Sequence, residues 1–230
     1  MIRTVHLAVS SRSGQPILLP TSFECPDNRL LLSGESGAGK TTLIECMAGV
    51  SAHRMSGVLD LPGAALLGVQ DAQAAFSPYR RLIGQLRDAR RFRAKDEWEA
   101  ELLDNMAALG LRADILSCYP HQLSAGMMKR VLLASLLAAG APLVLLDEPT
   151  AGLDPSVRWS ALDLVRRKAP AYVLATHDPE LLEAAEVEHR LHLGPGDERW
   201  FGPAREFGTV RPEDAPDDST PRVGPDGEEV

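Results

Sequence analysis

Gly34-Glu35-Ser36-Gly37-Ala38-Gly39-Lys40-Thr41 lies between the apolar run Leu30 to Leu32 and the stretch Thr42-Leu43-Ile44-Glu45-Cys46-Met47-Ala48. This order predicts strand, loop and helix. The spacing is GxxxxGK[ST], in which glycines let successive backbone N–H groups turn inward around a phosphate and the following helix adds its positive N-terminal end. In that reading Lys40 reaches β- and γ-phosphates, and Thr41 offers a hydroxyl to Mg²⁺. The fold expected around it is α/β, with a P-loop at the end of a buried strand.

Beyond this stretch, the 230 residues are 44% hydrophobic and 24% charged, which suffices for one core, with or without a small subdomain. The N-terminus lacks the basic, apolar and small-residue order of a signal peptide, and the longest apolar stretch, Val131 to Leu146, is broken by Ser135, Gly140 and Pro142. A soluble, intracellular protein is expected. Cys25, Cys46 and Cys118 show no CxxC or Cys/His ligand spacing and read as reduced, mostly buried thiols. Of the net charge of −8, residues 211–230 carry −5, together with four prolines, two glycines and almost no apolar side chain. Residues 206–230 are therefore expected to be a disordered acidic tail, since such a segment cannot offset its ordering entropy by burial.

Before the P-loop, Val5, Leu7 and Val9 alternate with polar residues, and short apolar runs recur at Ile17 to Leu19 and Ser22 to Cys25. They predict an antiparallel β region. Two further short strands are expected at Gly57 to Leu61 and Ala65 to Val69. From Gln70 to Gln122 the pattern turns helical, with Trp98, Leu102, Met106 and Leu109 on one face as core. Seven basic residues fall between Arg80 and Lys95 against the single acid Asp88. They read as a solvated face salted by the acids after them, and no interleaved aromatics point to nucleic acid.

Leu123-Ser124-Ala125-Gly126-Met127 opens a helix that Gly140 stops. Ser124 and Gly126 at its start form an anion site without a lysine, a half-site needing a phosphate brought from elsewhere. Leu143 to Leu146 reads as a strand buried on both faces, ending in Asp147 and Glu148 where open α/β sheets place chemistry. Asp147 is expected to hold the Mg²⁺ shell through water, and Glu148 to take a proton from an attacking water. A turn at Thr150 to Pro155 starts the next helix, and strand Ala171 to Ala175 ends at Thr176-His177-Asp178, where His177 can hydrogen-bond a γ-phosphate or product. His189 and His192 lie in the alternating stretch Val187 to Leu193 and read as strand surface, not as ligands.

Taken together, the P-loop at Gly34, Gln70, LSAGM at Leu123, LLDEPT at Leu145 and His177 resemble, in order and spacing, the ATP-binding cassette (ABC) ATPases over about residues 4–193. The resemblance implies a RecA-like core with an N-terminal antiparallel region over residues 1–205 and a helical subdomain inserted at about 71–140. It implies a head-to-tail dimer, of like or sibling subunits, with two ATP molecules at the interface. Ser124 and Gly126 of one subunit would then contact the γ-phosphate held by Lys40 of the other. By the same comparison Gln70 senses Mg²⁺ or the attacking water, Asp154 lies in the loop crossing the interface, Thr42 contacts the α-phosphate and His177 steadies the γ-phosphate. The loop residues Gly34, Glu35, Ser36, Gly37, Ala38, Gly39, Lys40 and Thr41 bind the nucleotide. Gln70-Asp71, Phe76-Ser77-Pro78, Ile83-Gly84-Gln85-Leu86 and Tyr119 to Ser124 resemble the oligopeptide, dipeptide and nickel importer branch.

The implied protein is a cytoplasmic ATPase subunit on the inner face of the membrane, bound to permease subunits and not to nucleic acid or the transported solute. A soluble ATPase accessory to a cytosolic enzyme complex, resembling carbon–phosphorus lyase systems, is the alternative. A P-loop kinase is the third, against which LSAGM and Glu148 argue. Three departures stand out. The spans from Lys40 to Gln70 and from Asp154 to His177 are short for the family, and Ala125 and Met127 replace the usual glycine and glutamine. No aromatic stands between Ser10 and Pro16 to stack on adenine, leaving Arg12 as the planar side chain there. Base selectivity is therefore expected to be weak: in a binding titration ATP and GTP should differ by less than about tenfold, or ~1.4 kcal/mol.

Overall fold

The computed structural model describes residues 1–69, 71–90, 92–183, 189–194 and 199–206. Strands β1 (Ile2–Ser10), β2 (Pro16–Cys25) and β4 (Arg54–Asp60) form an antiparallel sheet in the order β2-β1-β4. Strands β3 (Arg29–Gly34), β5 (Ala65–Gly68), β6 (Leu143–Asp147), β7 (Tyr172–Ala175), β8 (His189–Leu193) and β9 (Arg199–Pro203) form a second sheet, β5-β6-β7-β3-β8-β9. All neighbours in it are parallel except β8 and β9.

Six α-helices are described: α1 (Lys40–Met47), α2 (Leu82–Ala89), α3 (Lys95–Ala108), α4 (Ala125–Ala138), α5 (Pro155–Lys168) and α6 (Pro179–Glu183). Among the described residues no helix is long and apolar enough to cross a membrane.

The apolar runs of the central strands explain the layering. Side chains alternate along a strand, so one run feeds both faces of the sheet. Leu31, Val144, Leu146, Tyr172 and Leu174 join a core with α3, α4 and α5. Leu30, Leu32, Leu143, Leu145, Val173 and Ala175 join a second core with α1 and the antiparallel sheet.

The N-terminal region differs from the sequence expectation in one respect. The runs Ile17 to Leu19 and Ser22 to Cys25 are one strand, β2, despite Pro20. Pro20 is tolerated because β2 is the edge of its sheet and its pairing shifts register between Thr21, opposite Leu7, and Leu18, opposite Val9. Strand β9 and helix α6 were not expected. Glu206 ends a short 3₁₀ turn, Ala204–Glu206, and the rest of the expected acidic tail, 207–230, lies outside the described residues.

In the helical part, Trp98, Leu102, Met106 and Leu109 are all buried. In the basic cluster before them, Arg87 pairs with Glu99 and Arg93 with Glu101, acids that follow it, while Arg80 pairs with Asp88 inside the cluster. Glu101 also takes Lys168 of α5 at 2.6 Å, tying α3 to the helix behind the central sheet. Burial alone would raise the Glu101 carboxyl, but the Lys168 and Arg93 cations outweigh it and hold the pKa below the ordinary value. A depressed carboxylate stabilises the fold above its unfolded pKa and loses that contribution as the pH falls through the folded one. Glu101→Gln should therefore cost ~1 kcal/mol at neutral pH, and urea denaturation should show the gap closing as the pH drops through the carboxylate range.

Candidate functional site

Parallel pairing sets the site. Leu32 stands opposite Ala175, and Ala175 opposite Asp147, so β3, β7 and β6 finish at one level. The segments leaving the three strands, namely the loop 34–39, Thr176-His177 and Glu148, therefore emerge at the same edge of the sheet. Backbone bonds carry the alignment one residue further, from the Thr176 N–H to the Leu32 carbonyl at 3.1 Å and from the Glu148 N–H to the Ala175 carbonyl at 3.0 Å.

The loop turns on glycines with left-handed φ, 143° at Gly34, 84° at Gly37 and 95° at Gly39. Their steric circumstances differ. A Cβ on Gly34 would run into the backbone carbonyl of Leu193 on the neighbouring strand, whereas one on Gly37 would meet nothing within 4 Å. The Lys40 ammonium donates to the carbonyls of Gly34 at 2.7 Å and Glu35 at 2.8 Å, folding the side chain over the loop.

From the first turn of α1 the Thr41 hydroxyl donates to Asp147 Oδ2 at 2.7 Å. This pair is made of hard oxygen donors, which fits Mg²⁺ with its remaining positions left to water and phosphate. A cavity of about 200 Å³ lined by Thr41, Ile44, Glu45, Leu67, Val69 and Asp147 adjoins it. Thr42 comes next in α1, half-buried.

Glu148 has a left-handed φ of 50°, rare for a residue with a Cβ and worth about 1–3 kcal/mol of strain. The turn after it is held by Lys129 of α4, whose ammonium donates to the Ala151 carbonyl at 2.7 Å. Glu148 Oε1 lies 2.6 Å from His177 Nδ1, and while the carboxylate is sheltered, with 10% of its side chain exposed, the imidazole is 72% exposed. The pair thus combines a fixed acceptor with a ring reachable by a ligand. Beyond it, Asp178 pairs with Arg158 of α5.

Other sequence-predicted positions fall elsewhere. Ser124 caps α4, its hydroxyl oxygen accepting from the Met127 N–H at 3.2 Å, with exposed Ala125 and half-buried Gly126 after it. Asp154 is exposed before α5. Neither the Thr41 cavity nor the one beside the loop is lined by Ser124, Gly126 or Asp154. Gln70 lies outside the described residues.

The second cavity, about 350 Å³, runs between β2 and the loop and is lined by Pro16, Ile17, Leu19, residues 35–38, Gly194 and Arg199. Its planar side chain is Arg199 of β9, whose Nε donates to Thr21 Oγ1 at 3.1 Å, and not Arg12, which is exposed in the β1–β2 turn. Sequence reading missed Arg199 and Lys129. Neither belongs to a spaced motif, and both act across long chain separations.

A sequence profile described as ABC transporter matches residues 20–151. An aliphatic sulfonates import ATP-binding protein of Paracoccus denitrificans is 33% identical over 82% of this chain and 81% of its own length. An Fe(3+) ions import ATP-binding protein of Pseudomonas fluorescens is likewise 33% identical over 76% of this chain, which spans only 54% of that relative. Among solved structures, a dimeric bacterial ABC transporter cassette superposes with a TM-score of 0.74 at 18% identity, covering 90% of this chain and all of that one. An ATP binding subunit of an ABC transporter gives 0.75 at 22% identity over 88% and 90%. At these identities the superpositions establish the fold.

The glycine geometry separates two substitutions that look alike in sequence. Gly37→Ala should cost only the left-handed backbone strain, ~1–2 kcal/mol, whereas Gly34→Ala adds a collision with backbone and should exceed ~3 kcal/mol. Urea denaturation of the two variants beside the unmodified chain measures the difference.

Proposed function

The chain belongs to the ABC transporter family, and we propose that it is the ATP-hydrolysing subunit of an importer, working as a head-to-tail dimer on the cytoplasmic face of the membrane against permease subunits. The observation that carries this reading is the meeting of Lys40, Thr41, Asp147, Glu148 and His177 at one sheet edge, with Thr41 on Asp147 and His177 on Glu148. The similarity to import ATP-binding proteins supports the direction of transport. The stretches around Gln70, Phe76 and Tyr119 are the basis for proposing a peptide, nickel or metal-chelate cargo.

In the proposed reaction the loop N–H groups and Lys40 hold the β- and γ-phosphates of ATP, with Lys40 exchanging its two carbonyl partners for phosphate oxygens. Thr42 contacts the α-phosphate. Thr41 and Asp147 hold Mg²⁺, which supplies charge neutralisation on the phosphates when bound, and Gln70 is proposed to sense that ion or the attacking water. Glu148 accepts the proton of the water whose oxygen bonds to the γ-phosphorus as the bond to ADP breaks. His177, hydrogen-bonded through Nδ1 to Glu148, orients the carboxylate, and its exposed ring is placed to steady the γ-phosphate.

Ser124 and Gly126 serve the partner's nucleotide. The Ser124 oxygen accepts from its own helix, so its hydroxyl proton is the group it can donate to a phosphate. Asp154 lies in the loop proposed to cross the dimer interface. The base is proposed to enter the cavity between β2 and the loop, where Arg199 offers a planar cation for stacking.

Glu148→Gln should lower phosphate release ~10²–10⁴-fold and let a dimer accumulate with ATP on size exclusion; unchanged turnover would remove Glu148 from the role of base. The transport role is checked by gentle fractionation of cells carrying the tagged chain. Membrane permeases and a second ATPase should co-purify with it, and retention in the cytosol with enzymes would overturn that role.

A further inference from the structure

At the end of β3 remote from the P-loop, three side chains from separate segments meet. Cys25 closes β2, Asp27 lies in the following turn, and His189 opens β8 opposite Leu30. The Cys25 thiol donates to Asp27 Oδ1 at 3.1 Å, and His189 Nδ1 stands 3.0 Å from the same oxygen. The three potential ligand atoms all lie within 4.8 Å of one another.

We propose that Cys25, Asp27 and His189 form a binding site for a divalent cation of borderline softness, zinc above all. A sulfur, an imidazole nitrogen and a carboxylate oxygen are the donors this class takes, whereas Mg²⁺ and Ca²⁺ avoid sulfur. Ligand atoms around tetrahedral zinc are ~3.5 Å apart, and here the carboxylate oxygen stands 3.1 Å from the sulfur and 3.0 Å from the imidazole nitrogen, so small side-chain shifts admit the ion. The site has an entry path: the side chains of Asp27 and His189 are 34% and 25% exposed, although Cys25 is fully buried. That leaves the fourth position to water.

The surroundings favour the arrangement. The His189 ring stacks on Phe201 with centroids 5.5 Å apart and planes 12° apart, which orients the imidazole. Burial, reinforced by Asp27, pushes the Cys25 thiol up to about 12, which opposes binding, since the cation has to displace that proton. On binding, the sulfur–hydrogen bond breaks, a sulfur–metal bond forms and the proton passes to solvent.

The site would clip the antiparallel sheet to the parallel one, β2 to β8, and a ligand that binds only the folded chain stabilises it by mass action. Cys25 and His189 show no ligand spacing because 164 positions of numbering separate them. Only the fold brings them together.

The test is a cobalt titration of the full chain, read by absorption. The expected result is a thiolate-to-cobalt charge-transfer band with the visible bands of tetrahedral cobalt, displaced by zinc. Both should be lost in Cys25→Ser, although Cys46 and Cys118 remain, and cobalt binding should weaken at least ~10-fold in His189→Ala. The oxygen-only pair at Thr41 and Asp147 can bind cobalt but cannot give a thiolate band. Absence of the band in the unmodified chain overturns the proposal, as does its survival in either variant with unchanged affinity.

Discussion

The parallel register of β6, β7 and β3 is the constraint on which the site depends. Because Asp147, Ala175 and Leu32 share one level, three chain segments far apart in sequence deliver a carboxylate pair, an imidazole and a glycine loop to the same edge. A slip of one residue in any strand would also turn its apolar set from one core to the other. Burial on both faces therefore enforces the alignment: the site's geometry and the two cores are one constraint.

Within that frame, parts of the site are held by neighbours that are not themselves in a motif. Lys129 reaches from α4 to the turn after Glu148 and holds a backbone that a residue with a Cβ adopts at a cost. Arg158 fixes Asp178 beyond the histidine, and the Leu193 carbonyl leaves Gly34 no room for a side chain. A family alignment on motifs alone misses these supports, because they lie between the motifs and not in them.

The departures from the family pattern acquire local explanations of different kinds. The methyl of Ala125 stands exposed at the first residue of α4, clear of the Ser124 cap. Where the family aromatic is missing, the cavity beside the loop is lined by a planar cation from β9 and by no residue of the β1–β2 turn before Pro16. That strand pairs antiparallel at the sheet edge and carries both Arg199 and Phe201, so one late segment contributes to the proposed base pocket and, at the other end of β8, to the packing of His189.

The P-loop, the strand ending in Asp147 and Glu148, the helix capped by Ser124 and the Trp98 face were legible in the sequence because each is a local pattern: glycine conformation, period and capping act over a few residues. Family membership came from their order. Strand β2 was harder to read, because whether Pro20 breaks a strand depends on the strand being an edge, which is a property of the sheet. The pairing of Glu148 with His177, the hold of Lys129, the approach of Arg199 to the loop and the meeting of Cys25 with Asp27 and His189 belong to the tertiary structure alone. Each joins side chains whose separation along the chain says nothing of their separation in space, and that distance is set when the alternating faces of the central strands choose which core to enter.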